Sequence, residues 1–145
     1  MKTVLLPVDF SDTSKRLVDR AMLFLNHFGS GLRIFLLNTY PIPLGATRDL
    51  IRDHDQLRQM SLDGLGSEIE RIKSMMEDPA RFLFDPTTFM GSLEGAMLHF
   101  VEAKGVDLII LGLPLAWETY PFSDIKCPIL LFPNPTELLA PTALH

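Results

Sequence analysis

The sequence predicts an α/β fold, an open five-stranded parallel sheet with helices on both faces. Two segments, Val4–Val8 and Val106–Leu111, are almost continuously apolar, as strands covered on both sides must be. Stretches with apolar residues at helical spacing separate the strand candidates, and strands alternating with helices imply parallel pairing. The chain twist then makes the crossovers right-handed. The first and fourth strands, the longest apolar ones, belong in the interior of the sheet.

The elements follow in order. After Val4–Val8, Ser11 caps a helix whose first turn carries Asp12. Leu17, Val18, Ala21, Phe24, Leu25 and Phe28 form its apolar stripe, and Gly29 and Gly31 stop it. Leu32–Leu37 is the second strand. Pro41 and Pro43 open a loop before a long helical stretch, Thr47 to Glu77, with Leu50, Ile51, Leu57, Met60, Ile69, Ile72 and Met76 at helical spacing. Gly64 and Gly66 predict a bend or break in its middle, and Pro79 ends it. Arg81–Met90 reads as a third strand. Pro86 would remove a ladder donor, so an edge position suits it best. Ser92 caps the next helix, with Leu93, Ala96, Met97, Phe100 and Val101 facing inward and Gly105 closing it. The fourth strand, Val106–Leu111, and a fifth, Pro128–Phe132, complete the sheet. Residues 1–133 form one domain, and 134–145, with Pro135 and Pro141, an extended or disordered tail.

Composition narrows the function. At 145 residues the chain buries roughly two thirds of its unfolded surface. Its net charge of −5 and lack of a basic stripe argue against nucleic-acid binding. Lys15, Arg16 and Arg20 make one patch on a helix, read as a solvated face. The single cysteine, Cys127, excludes an intrachain disulfide and fits a reducing cytoplasm. There is no signal-peptide pattern and no apolar run of bilayer-spanning length. The expectation is a cytoplasmic protein with no membrane partner.

Four segments resemble the universal stress proteins of the UspA type. They are Val4–Ser11, the helix end Asn26-His27-Phe28-Gly29, the unit from Gly91 to Gly112, and Cys127-Pro128-Ile129-Leu130-Leu131. The most specific part sets Gly91, Gly105, Asp107, Leu108, Ile109 and Gly112 in the family's arrangement. The resemblance implies sheet order 3-2-1-4-5 and dimerisation, often through the last strand. It also implies a nucleotide crevice lined by Pro7, Val8, Asp9, Leu111 and Gly112, with Asp9 at the adenine position.

Members that bind ATP carry G-x-x-G-x(9)-G-[ST] after the fourth strand, where glycines let backbone N–H groups approach phosphate. Laid on this chain, Gly112 matches the first glycine. Leu115, Ile125 and Lys126 stand where the other two glycines and the hydroxyl residue should be. Only 14 residues separate Gly112 from Cys127, so the last crossover is shortened. ATP is not expected as a cofactor.

Other chemistries are weaker. Asp9 either reads an adenine or organises its own turn. Ser11, Thr13 and Ser14 suit helix capping better than phosphate cradling, since no glycine supports a wrapping loop. Asp85 lacks the acidic pair and lysine of a phosphorylated receiver domain. His27, His54, His99 and His145 show no metal spacing, and no metal is expected. Cys127 reads as a small hydrophobe at the start of a buried strand, and no nucleophile elbow is present, so no catalytic residues are assigned. Trp117, Tyr120 and Phe122 crowd the segment that replaces the phosphate loop, where they pack on the sheet, fill the vacated pocket or contact a partner.

The resulting expectation is a stress-response or signalling interaction module, dimeric, without ATP binding, with Trp117, Tyr120, Phe122, Ile129 and Leu131 as interface candidates. The alternative is a small-ligand or nucleotide-binding protein using the modified crevice, with Trp117 available to stack on a base.

Overall fold

A computed structural model describes residues 2–28, 31–42, 47–112 and 124–132, with side chains between 47 and 52 excluded. The described residues form β1 (Thr3–Pro7), α1 (Asp12–Leu25), a 3-10 turn (Asn26–Phe28), β2 (Leu32–Tyr40), α2 (Thr47–Ser74), a 3-10 turn (Pro79–Arg81), β3 (Phe82–Met90), α3 (Leu93–Lys104), β4 (Leu108–Gly112) and β5 (Ile129–Phe132). The five strands form one sheet in the order β3-β2-β1-β4-β5, all pairs parallel. The predicted class and order are both observed, with β1 and β4 in the interior.

Alternation along the strands divides the core. Val4, Leu6, Ile34, Leu36 and Ile110 face α1 and α2. Leu5, Phe35, Leu37, Ile109 and Leu111 face α3. The chirality rule explains this division. The chain steps outward from β1 to β3 and places α1 and α2 on one face; it then reverses to reach β4 and places α3 on the other.

Helix ends follow local chemistry. Ser11 Oγ accepts from Ser14 N, and Ser92 Oγ from Gly95 N. Gly105 closes α3 in the left-handed conformation at φ 62°.

The structure corrects several details. α2 runs unbroken through Gly64 and Gly66. Its buried side is set by Ser61, Leu65, Glu68, Ile69 and Ile72, whereas Met60 points to solvent. β2 extends to Tyr40 because β3 pairs with it over its whole length, from Leu32↔Phe82 to Tyr40↔Met90. β3 is an edge strand, so the donor missing at Pro86 costs no ladder bond. β4 starts at Leu108 and β5 at Ile129, which leaves Cys127 half-buried just outside the strand. The tail and Trp117, Tyr120 and Phe122 lie outside the described residues.

Arg71 ties α1 to α2. It donates to both oxygens of Glu68, to Asp19 Oδ1 and to the Lys15 carbonyl. Its hydrogen bonds to Glu68, foremost, hold the guanidinium protonated well above its already high value. Glu68 is 3% exposed, and this pairing makes its burial tolerable.

Candidate functional site

In an open α/β sheet, ligands bind at the carboxyl ends of strands where the strand order reverses. Here that point lies between β1 and β4. The pair is in register at Leu5↔Ile109, so the ends Pro7-Val8-Asp9 and Leu111-Gly112 come level with each other. The structure therefore brings together five of the six crevice residues expected from the sequence. The sixth, Trp117, lies outside the described residues.

The polar groups at this edge are engaged within the chain. Asp9 Oδ1 accepts from Ser11 N at 2.9 Å and from Ser11 Oγ at 2.6 Å. Asp9 N donates to Ser14 Oγ at 3.1 Å. Of the two readings of Asp9, this geometry is the turn-organising one. The same bonds turn Ser11 and Ser14 toward capping, and the amino end of α1 receives the protein's own oxygens. The exposed carboxylates of Asp9 and Asp12 stand at this helix end, the site an incoming phosphate would otherwise favour.

Two further residues complete the crevice, and sequence reasoning missed both. Asn38 Nδ2 donates to the Val8 carbonyl at 2.9 Å, and Ser61 Oγ donates to Asn38 Oδ1 at 2.7 Å. Together they latch the ends of β1 and β2 to α2. The available signal was a polar residue directly after the apolar run Leu32–Leu37, beside the end of β1. Nearby, Tyr40 Oη and His54 Nε2 lie 3.0 Å apart, bracing the end of β2 against α2.

Gly112 has a packing reason of its own. A Cβ there would stand 3.0 Å from Leu17 Cδ2, so its lack of a side chain lets α1 lie close over the end of β4. Ile125, at a glycine position of the phosphate motif, is buried in the core beneath α3. It and Lys126 adjoin Gly105, Val106 and Asp107, at the amino end of β4 and the opposite end of the sheet from Gly112.

The other candidates stand apart from the crevice. Asp85 is paired with Arg33 at 2.6 Å on the β2–β3 side. Burial, with a further push from Asp107, raises the Cys127 thiol above its usual range, which opposes thiolate chemistry. Among the described residues, no group of three or more His, Cys, Asp or Glu side chains could hold a metal, and no helix is long and apolar enough to cross a membrane. Ile129 and Leu131 lie on β5, the sheet edge opposite β3. Leu131 is 37% exposed.

Strand order and helix placement together define an open, doubly wound α/β domain. No protein-family model matches the sequence, and no curated protein does either. Solved structures do match. The chain superimposes on the universal stress protein UspA from Lactobacillus plantarum with TM-score 0.70 and 14% identity, covering 90% of this chain and 97% of that one. A universal stress protein family member from Burkholderia pseudomallei matches with TM-score 0.68 and 17% identity over 91% and 96%. One from Arabidopsis thaliana, solved with AMP bound, matches with TM-score 0.67 and 14% identity over 95% of each chain. The fold is that of the universal stress proteins.

Proposed function

We propose that this chain is a universal stress protein-type domain that acts through protein contacts and does not hold ATP. The observation that carries this reading is Ile125. A residue standing where the motif needs a phosphate-binding glycine is instead part of the core, at the wrong end of the sheet for the crevice. The internal pairing of Asp9 and of the Val8 carbonyl supports the same reading. The domain would work in the cytoplasm, without catalysis, as a dimer. The β5 edge carrying Ile129 and Leu131, with Trp117, Tyr120 and Phe122 nearby in sequence, would supply the contact, since β5 is the last strand of the sheet among the described residues and a strand edge readily accepts another chain.

A second reading is favoured by the Arabidopsis neighbour, which holds AMP. A monophosphate needs no clamp for β- and γ-phosphates, so a crevice of Pro7, Val8, Asp9, Leu111 and Gly112 with Trp117 would suffice. Isothermal titration separates the readings. The first predicts no binding heat with either ATP–Mg²⁺ or AMP at millimolar ligand. Saturable binding of AMP alone selects the second, and saturable binding of ATP–Mg²⁺ overturns the first.

A further inference from the structure

At the end of the sheet away from the crevice, α1 and the carboxyl end of α2 enclose a groove of about 560 Å³. Its floor is apolar and rich in methionine: Met22, Ile72 and Met76. Two of its apolar side chains stand open to solvent, Leu23 at 67% and Met75 at 55%. Methionines repack around varied apolar shapes, so such a floor suits a protein side chain better than one rigid small molecule.

Three carboxylates, Asp19, Glu77 and Asp78, stand around this floor against one guanidinium, Arg81. α1 ends here at Leu25, capped by Asn26, with no basic residue in its last turn, and α2 ends at Ser74 with Arg71 and Lys73 in its last turn. Each helix contributes the negative end of its dipole. Glu77 and Asp78 follow α2 after Met75 and Met76 and add two exposed carboxylates beyond its last turn. The basic residues nearby are committed or turned away. Arg71 is spent on Glu68, Asp19 and Lys15, and Lys73 is exposed and does not line the groove.

The chain shows what this rim accepts. Arg81 reaches the end of α1 and donates to Asn26 Oδ1 at 2.8 Å and to the Asn26 carbonyl at 3.1 Å, capping the helix with a guanidinium. The end of α2, with Glu77 and Asp78, presents the same chemistry to a cation from outside.

We propose that this groove docks a basic amphipathic helix of a protein partner. Leucine-like anchors at helical spacing would enter between Leu23 and Met75, and flanking Lys or Arg would meet Glu77, Asp78 and the end of α2. The site is independent of the crevice and of the β5 edge.

The probe is a fluorescein-labelled Leu/Lys peptide of about four helical turns with leucines on one face. Anisotropy should show saturable binding. Binding should weaken at least tenfold in the E77K/D78K variant and also in L23D, which alters an exposed side chain and leaves the core intact. The control is D63K/E102K, which reverses two exposed charges elsewhere, changes net charge equally and should change affinity little. With ¹³C-methyl methionine labelling, Met22, Met75 and Met76 should shift on binding, while Met60 and Met90 should not. Absence of binding would overturn the proposal. So would equal binding of a scrambled peptide of the same composition, or equal losses in E77K/D78K and D63K/E102K.

Discussion

Phe10 adopts a left-handed backbone conformation at φ 67°, and its ring lies on α2 at Gly64. A non-glycine residue in that region is strained and persists only where its surroundings hold it. A Cβ on Gly64 would stand 2.6 Å from Phe10 Cζ, whereas one on Gly66 would meet nothing within 4 Å. The two glycines look alike in the sequence, and only the tertiary contact separates them. G66A should therefore stabilise the protein by about 0.5–1 kcal/mol through helix propensity. G64A should destabilise it, because overpacking costs about 1–3 kcal/mol and outweighs that gain. In an F10A background, G64A should become stabilising. Denaturant midpoints check all three. Equal effects of G64A and G66A in the natural background would contradict the seat assigned to the Phe10 ring.

α2 marks the limit of periodicity as a guide. Its register reads ambiguously because two of its inward positions, Ser61 and Glu68, are polar, while Met60 is apolar and outward. Ser61 is satisfied by Asn38 from β2, a distant partner that leaves no trace in local spacing, and Glu68 by Arg71 three residues on, which is itself anchored by Asp19 of α1. By contrast, the caps at Ser11 and Ser92 and the left-handed Gly105 depend on neighbours in sequence and were legible. Replacing Arg71 by Met should cost on the order of 3–5 kcal/mol, because it strands a buried carboxylate. Adding Glu68→Gln should return part of that loss. Urea unfolding measures both, and a loss below about 1 kcal/mol for R71M would show that the ion pair contributes no more than a surface bridge.

For the whole molecule, the apolar strands and alternating helices made the α/β class legible, and the resemblance supplied the strand order. The crevice was legible as a set of strand ends: Pro7, Val8, Asp9, Leu111 and Gly112 do come together. How its polar groups are engaged was not, since the Asn38–Ser61 latch joins elements far apart in sequence, and neither was the burial of Ile125 at the other end of the sheet. The groove between α1 and α2 was hidden for the same reason, as its methionines come from α1 and from the turn after α2. The central claim is a universal stress protein scaffold working by contact, without bound ATP. Native mass spectrometry of the purified protein, with and without ATP and magnesium, tests it most directly by reporting subunit count and retained ligand together. A ligand-free dimer whose mass is unchanged by ATP is expected. A monomer at high concentration, or an ATP adduct that survives gentle desalting, would contradict it.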